Sequence, residues 1–379
     1  MILGGGSLVT ADGVVPGWVR VTGARIDAIG HGAAPDDDAD LVDVRGLLVM
    51  PGLVDVHQHG AGGASYDEGP AAAEEVVLSR RRSGTTSCVA SLASAPIEVL
   101  EARLSSLAPL VASGLLAGVH LEGPWLNPAR AGAHDRTALI DPFPEDVARL
   151  LAAGDGAVGM VTLAPELPGG LAAVEQLTGA GVVVAIGHTE ATYATTRDAL
   201  ARGATAGTHL YNAMRPVHHR EPGPVVALLE SGAAIELVGD GVHLHPAVLG
   251  GTARLAGPGR VVLVTDAMAA AGMPDGRYRL ADREVTVSDG VARGAGGELA
   301  GSTITLADAV RFAVAAAGVP LHEAVTAASA APADLLGLPG VGRLTPGAWA
   351  DVVLMTPDLQ LLGVLFRGEW ERPLPGRDA

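Results

Sequence analysis

The chain contains no lysine, and all 25 of its basic residues are arginines. This absence excludes functions that need a lysine amine: a P-loop, Schiff-base or pyridoxal-phosphate chemistry, and a carboxylated lysine that bridges two metal ions. Positive charge is also scarce overall, because 42 acidic residues give a formal net charge of −17. Binding to nucleic acid or to an anionic membrane depends on clustered positive charge, so we expect neither partner.

Cysteine is nearly absent, and Cys88 is its only occurrence. An intramolecular disulfide, an iron–sulfur cluster and a structural zinc finger are therefore excluded, and we expect a cytoplasmic protein. The N-terminal sequence has neither the basic nor the apolar region of a signal peptide. The longest uncharged stretch, residues 104–121, is interrupted by Pro109 and does not suit a membrane span.

Apolar residues are plentiful, at 48% of the 379 residues, which is enough for a large core. From Pro51 onwards, short apolar runs alternate with segments of helical period, a pattern typical of repeated βα units. Eight such strands close a (β/α)8 TIM-like barrel, and eight runs are present. They cover residues 53–56, 86–92, 116–121, 158–164, 182–187, 204–208, 233–239 and 260–266.

The two ends of the chain have a different pattern. Residues 1–49 contain short alternating or β-branched runs between turn residues, and residues 342–379 contain two more strand-like runs. We expect these ends to pair as a small β-sandwich domain beside a barrel at residues 50–341. The alternation near residues 277–295 predicts a β-hairpin inserted at the catalytic end of the barrel.

Ionisable side chains follow several of the predicted strands directly. The carboxyl ends of barrel strands converge on one mouth, so these side chains are predicted to share a cavity. Neutral imidazoles and carboxylates are the usual ligands of first-row divalent metals. The candidates are His57 and His59 after the first run, Glu122 after the third, His188 after the fifth, His209 after the sixth and Asp266 at the end of the eighth.

Each candidate also has an ordinary structural interpretation. A single buried histidine is more often part of the core, and Glu122 or Asp266 could cap a helix. Two features favour metal binding. His188 and His209 follow consecutive strands, and Glu122 lies between apolar residues and a Gly-Pro turn, where a buried carboxylate needs a cation. His57 and His59 are two residues apart, so both rings point the same way along an extended segment.

Several motifs together resemble the amidohydrolase superfamily and, within it, the N-acetylglucosamine-6-phosphate deacetylase family. They run through nearly the whole chain: PGLVDVHQHG, HLEGPWLN with GAH, GHT, THLYNAM with HHR, GDGVHLH, VTDAM, ELAGS and LTPGAWADVVLM. Most of the superfamily places a carboxylated lysine on the fourth strand, whereas this family uses a glutamate after the third. The absence of lysine agrees with that difference.

The resemblance implies a metal-dependent hydrolase that removes the N-acetyl group of N-acetyl-D-glucosamine 6-phosphate. The implied cofactor is one or two divalent ions per subunit, Zn²⁺ first, with Fe²⁺ or another first-row metal as the alternative. The implied metal ligands are Glu122, His188, His209, His57, His59 and Asp266. Asp266 is also implied as the general base, and His134 as a second catalytic residue that contacts the sugar or the carbonyl oxygen.

The resemblance further implies a set of substrate-binding residues, with Arg220 and His243 at phosphate-binding positions. The full set is Ala133, His134, Asn212, Ala213, Arg220, Asp240, His243, Leu299, Ala300 and Gly301. Part of the phosphate site in this family comes from a second subunit, so a homodimer is implied.

Three alternatives to this function stay open at the level of sequence. The first is the same reaction on N-acetylgalactosamine 6-phosphate, which differs only in the configuration of one hydroxyl group. The second is another amidohydrolase activity, such as that of a cyclic amidase or a deaminase. The third is a catalytically silent scaffold that binds partners. Amino-sugar catabolism or cell-wall recycling is the expected physiological context.

Overall fold

The computed structural model describes residues 1–35 and 40–376. The first strands of the chain are β1 (Ile2–Thr10), β2 (Gly13–Thr22), β3 (Arg25–His31), β4 (Leu41–Asp43), β5 (Leu48–Pro51), β6 (Leu53–Asp55), β7 (Gly60–Ala61) and β8 (Ala64–Ser65). They are followed by β9 (Thr85–Ala93), β10 (Gly118–Glu122), β11 (Val158–Leu163), β12 (Val183–Ile186), β13 (Ala206–Gly207), β14 (Ala234–Val238) and β15 (Val261–Val264). The last strands are β16 (Gly276–Leu280), β17 (Arg283–Ser288), β18 (Val291–Gly294), β19 (Val352–Met355), β20 (Leu361–Phe366) and β21 (Glu369–Arg372).

Helices alternate with the central strands. They are α1 (Pro70–Arg82), α2 (Ile97–Ala112), α3 (Pro144–Gly154), α4 (Gly170–Gly179), α5 (Tyr193–Ala201), α6 (Gly223–Glu230), α7 (Pro246–Ala256), α8 (Leu306–Ala315), α9 (Leu321–Ala327) and α10 (Ala330–Leu335). On α2, the side chains of Leu100, Leu104 and Leu107 recur at helical spacing and are fully buried against the strands.

Eight parallel strands form the barrel in the order β6, β9, β10, β11, β12, β13, β14, β15. The first and last strands approach each other just beyond their ends, where Gln58 and Ala267 form an isolated parallel bridge. The backbone N–H of Asp266 also donates to the carbonyl of His57 at 2.9 Å. The predicted barrel and its eight strands are confirmed, although β13 has only two residues because its Ala/Gly/Thr-rich sequence favours strand structure weakly.

Strands from both ends of the chain form a second eight-stranded sheet, in the order β21, β20, β19, β5, β1, β2, β3, with β4 beside β1. The antiparallel pairing of β19 with β5 joins the C-terminal segment to the N-terminal one, as predicted. The edge strand β21 was not predicted. The domain boundaries at residues 49 and 342 stay predictions, and residues 36–39 and 377–379 of that predicted domain lie outside the described residues.

The segment predicted as a hairpin forms a three-stranded antiparallel sheet, β16–β17–β18. The third strand follows a two-residue turn at Asp289 and Gly290, both with positive φ. An Asp-Gly pair is a strong hairpin signal, so the sequence did contain the cue for this extra strand. Val285, Val287 and Ala292 pack against Met268, which places the insert beside the end of the eighth barrel strand. Within the described ranges, no helix is both long enough and apolar enough to span a lipid bilayer.

Candidate active site

A cavity of about 330 Å³ opens at the carboxyl ends of the barrel strands. Five of the six predicted metal ligands line it, and the sixth, His57, lies fully buried beside them. The lining residues are His59, Glu122, Ala129, Arg130, Gly132, Ala133, His134, His188, His209, Asn212, Ala213, His243, Asp266, Leu280, Glu298, Leu299 and Gly301. The barrel therefore brings together predicted ligands that lie far apart in the sequence.

The carboxylate of Glu122, at the end of β10, is the centre of the site and only 3% exposed. Its Oε1 lies 3.2 Å from His188 Nε2 and 3.1 Å from His209 Nε2, and the two nitrogens are 3.1 Å apart. His188 Nδ1 donates to the carbonyl of Arg130 at 2.7 Å, which leaves a lone pair on Nε2. Three ligand atoms thus face one point.

A second group of possible ligand atoms also lies close to Glu122. Its Oε2 is 3.1 Å from His59 Nε2, and Asp266 Oδ1 is 3.5 Å from the same nitrogen. His57 Nε2 lies 3.4 Å from Glu122 Oε1 and 3.6 Å from Asp266 Oδ1. Although His57 is fully buried, its Nε2 has no hydrogen-bond partner among the described residues.

These residues fit a divalent metal ion. Two sets of three side chains place their ligand atoms within 4.8 Å of one another, namely His57, His59 and Asp266, and Glu122, His134 and His188. His209 joins the second set through its contacts with Glu122 and His188. All donors are imidazole nitrogens or carboxylate oxygens, the set that first-row divalent metals prefer.

The two buried carboxyl groups of the cluster, Glu122 and Asp266, are also stabilised in their ionised form by positive charge. Burial alone would raise the pKa of the Glu122 carboxyl, but the surrounding imidazoles, His57 and His134 foremost, hold that pKa well below its usual range. The pKa of Asp266 is likewise lowered, because the hydrogen bond from His59 and the charge of His57 outweigh burial. In return, hydrogen bonds to Asp266 and Glu122 overcome burial and raise the pKa of His59 to about 9. Two buried carboxylates are thus kept ionised.

Backbone strain marks the same positions. His188, His209 and Asp266 have φ values of 46°, 25° and 49°, in the left-handed region that residues other than glycine seldom adopt. Such strain persists only where the surrounding structure imposes it, and it is common at functional sites. Gly301 contributes to this constraint, because a Cβ at that position would lie 2.6 Å from the carbonyl oxygen of Asp266.

Glu236, on β14, is a buried carboxylate that the sequence analysis missed. Its Oε2 lies 3.1 Å from His57 Nδ1 and accepts from the backbone N–H of His209, also at 3.1 Å. The first contact gives the Nδ1–H of His57 a carboxylate acceptor and directs Nε2 toward Asp266 and Glu122. The available signal was a charged residue in the middle of the apolar run AAIELVG, a position that requires a partner.

Arg80, on α1, is the second residue that the sequence analysis missed. It is 1% exposed, and its guanidinium donates to Gln58 Oε1 at 2.7 Å and to Thr265 Oγ1 at 3.3 Å. Gln58 lies between the two histidines of the first motif, and Thr265 directly precedes Asp266. One guanidinium group thereby joins the ends of the first and eighth barrel strands.

The predicted substrate-binding residues fall into two groups. Those in the cavity wall are Ala133, His134, Asn212, Ala213, His243, Leu299 and Gly301. His134 has a defined tautomer, because its Nδ1 accepts from the backbone N–H of Ser94 at 3.3 Å. Its Nε2 therefore carries the proton and lies 3.1 Å from Glu122 Oε2.

Three predicted residues lie outside the cavity wall. Asp240 is behind His243, with its Oδ2 2.6 Å from His243 Nδ1. Ala300 is fully buried and packs in the cluster of Met268, so its side chain does not face the cavity. Arg220 is on an exposed loop, where its guanidinium lies 2.8 Å from His219 Nε2. The cavity wall includes five residues that were not predicted: Ala129, Arg130, Gly132, Leu280 and Glu298.

Comparison with known proteins agrees with this architecture. Residues 48–370 match the amidohydrolase family. The N-acetylgalactosamine-6-phosphate deacetylase of Escherichia coli O157:H7 is 38% identical over 85% of this chain and 87% of its own length. The N-acetylglucosamine-6-phosphate deacetylase of Lysinibacillus sphaericus is 36% identical over 85% of each chain.

Solved structures show the same relationship. The N-acetyl-D-glucosamine-6-phosphate deacetylase of Mycobacterium smegmatis is 46% identical, covers 98% of this chain and 99% of its own, and superposes with a TM-score of 0.94. A mutant of that enzyme in complex with N-acetyl-D-glucosamine 6-phosphate gives a TM-score of 0.95. The chain therefore belongs to the amidohydrolase family of hydrolases, in the group that contains the N-acetylglucosamine-6-phosphate deacetylases.

Proposed function

We propose that this hydrolase cleaves the N-acetyl group of N-acetyl-D-glucosamine 6-phosphate and releases acetate and D-glucosamine 6-phosphate. The observation that carries the proposal is the convergence of Glu122, His188 and His209 on one point beside the buried carboxylate of Asp266. The similarity to deacetylases of sugar phosphates supports the substrate class. The cavity volume lies within the usual range for small-molecule sites.

The proposed cofactor is Zn²⁺, with Fe²⁺ or another first-row metal as the alternative and one or two ions per subunit. Glu122, His188 and His209 would hold one ion, and His57, His59 and Asp266 a second. A metal in such a site polarises a carbonyl oxygen and lowers the pKa of water to about 7, which makes a nucleophile available at neutral pH.

Asp266 is the proposed general base. Its carboxylate is ionised and lies at the cavity wall, so it can accept a proton from the water that attacks the acetyl carbonyl. As the C–N bond breaks and acetate forms, the same carboxyl group returns that proton to the departing amine. His134 carries its proton on Nε2 and can donate a hydrogen bond to the carbonyl oxygen, where negative charge develops.

The phosphate group of the substrate requires cationic partners, and we propose Arg220 and His243. His243 lines the cavity, whereas Arg220 is on an exposed loop that a second subunit would have to bring to a shared site. This requirement supports a homodimer. Arg130 is the cation of this chain that already lines the cavity, and its guanidinium pairs with Glu190.

A second candidate substrate is N-acetylgalactosamine 6-phosphate. It is favoured by the 38% identical relative from Escherichia coli O157:H7, a deacetylase of that sugar phosphate. The two substrates present the same acetamido and phosphate groups, so they would use the same metal and the same base.

Purified enzyme should release acetate from N-acetyl-D-glucosamine 6-phosphate, because the site offers ligands for a metal and a carboxylate that can act as the base. Elemental analysis should find one or two equivalents of a divalent metal, and chelation should abolish activity that added metal restores. The same assay with the galacto sugar and with unphosphorylated N-acetylglucosamine identifies the substrate. Full activity without metal would refute the mechanism, and a higher kcat/KM for the galacto sugar would overturn the substrate assignment.

Replacing Asp266 by asparagine should lower kcat by about 10²–10⁴-fold, because asparagine cannot accept the proton. Asparagine has nearly the same shape, so thermal unfolding should stay close to that of the unsubstituted enzyme, and the ion proposed for Glu122, His188 and His209 should be retained. Asp282→Asn is the control, since that side chain is 86% exposed on the insert, and its kcat should be unchanged. An unaltered kcat in Asp266→Asn would disprove the general-base role.

Replacing Glu236 by glutamine should weaken metal binding by about 10–100-fold, because His57 loses the carboxylate that orients its ring. Competition with a chromophoric chelator measures the metal Kd directly, without reference to turnover. Glu98→Gln is the control. The Glu98 side chain, on α2, is 73% exposed, so its replacement should leave the metal Kd unchanged. Equal metal affinity in both variants would contradict the role of Glu236.

Replacing Arg220 by alanine should raise KM for the phosphorylated sugar by about tenfold or more, since a charge-assisted contact is lost. Hydrolysis of unphosphorylated N-acetylglucosamine, measured alongside, should not change. Arg197→Ala is the control, because it removes the same charge from the exposed face of α5, and it should leave KM unchanged. If KM is unaffected by Arg220→Ala, the phosphate must bind elsewhere, with Arg130 as the next candidate.

A further inference from the structure

A second large groove lies on the opposite side of α1 from the active site. Its volume is about 860 Å³, and it separates helices α1 and α2 from the terminal sheet. Arg81 and the end of α2 form one wall, and Trp349, Phe366 and Arg367 form the other. None of these residues lines the active-site cavity, so the groove is a separate feature of the molecule.

Guanidinium groups stack on aromatic rings in the wall of this groove. Arg367 Cζ lies 3.4 Å from the centre of the Trp349 ring. Arg25 stacks on the other face of the same ring, at 3.2 Å, and does not line the groove. Arg81 Cζ lies 3.7 Å from the centre of the Phe366 ring, and Arg367 Cζ lies 5.4 Å from it. An arginine stacked on an aromatic face keeps its N–H edges available for an acceptor.

One guanidinium group in the groove has no ion-pair partner within the described part of the chain. Arg81 is only 8% exposed, yet its guanidinium has no hydrogen-bond or ion-pair partner among the described residues, and its Nε is buried. Asp351, 3% exposed, lies 4.0 Å from Arg367 Nε through Oδ1. Glu74 also lines the groove, but at its exposed rim.

Arg367 therefore has a carboxylate beside it, whereas Arg81 has none within ion-pair distance among the described residues. The chain as a whole carries a net charge of −17, so a buried guanidinium group without a carboxylate beside it is unusual. A buried cation without a partner is costly, and an anion in the groove would offset that cost.

We infer that this groove binds a phosphate group, either as inorganic phosphate or as a phosphate monoester. Guanidinium edges match phosphate oxygens in pairs, and a monoester carries a charge of about −1.5 to −2 at neutral pH. The groove also has room for an attached sugar-sized group. Phosphate binding here would depend on Arg81 and Arg367 and does not require the deacetylase reaction.

The test is isothermal titration of the metal-loaded enzyme with inorganic phosphate, at constant ionic strength. Each variant is made both in the unsubstituted chain and in an Arg220→Ala background, which removes the phosphate contact proposed for the active site. Arg81→Gln should weaken phosphate binding by about tenfold or more in both backgrounds, because a charge-assisted contact is lost. A parallel titration with D-glucosamine 6-phosphate distinguishes a monoester from the free ion.

The neighbouring Arg82 provides a matched control, since it is exposed at the end of the same helix and does not line the groove. Arg82→Gln should change the phosphate Kd by less than about twofold. Arg367→Gln is a second variant, on the opposite wall, and it should also weaken phosphate binding. It provides the test if Arg81→Gln does not fold. Absence of saturable phosphate binding in the Arg220→Ala background, or equal affinity in the Arg81, Arg82 and Arg367 variants, would overturn the inference.

Discussion

An ionised carboxylate buried at the mouth of the barrel is the constraint on which the rest of the structure depends. Glu122 is 3% exposed. The free energy needed to remove such a charge from water without a partner exceeds the net stability of a folded domain. The Glu122 oxygens are therefore surrounded by the ring nitrogens of His59, His134, His188 and His209, at 3.1–3.2 Å. These imidazoles come from loops after different strands, so the carboxylate is satisfied only when the barrel has closed. Closure of the fold and assembly of the site are one event.

Sequence alone predicted the barrel and the cluster of candidate ligands at its mouth because both follow a positional rule. Parallel strands covered on both faces appear as apolar runs, and an ionisable residue directly after such a run lies at the shared mouth. Glu236 and Arg80 could not be found by this rule, since Glu236 lies within a strand and Arg80 on a helix. Their partners are far away in the chain: His57 is 179 positions before Glu236, and Thr265 is 185 positions after Arg80. Contacts of that span become visible only in the closed barrel.

Motif matching also cannot tell which side of a loop faces the substrate. Leu299, Ala300 and Gly301 are consecutive residues of one motif, yet the first and third line the cavity while the second packs in the core. Successive residues of an extended segment point to opposite sides, so about half of such a motif must face away from the site. Arg220 was predicted to bind phosphate, but it lies on an exposed loop. Such a loop contributes to a binding site only when another surface, such as a second subunit, packs over it.

Helix α1 links the two features that rely on buried arginine. Consecutive residues of a helix differ by about 100° in direction, so Arg80 points toward the barrel mouth and Arg81 toward the terminal sheet. Arg80 donates to Gln58 and Thr265, the neighbours of candidate metal ligands, while Arg81 stacks on Phe366. Both guanidinium groups extend from the same helical turn, so their positions are linked. Any displacement of α1 against the terminal sheet must therefore also change the contacts that orient the first motif and Asp266.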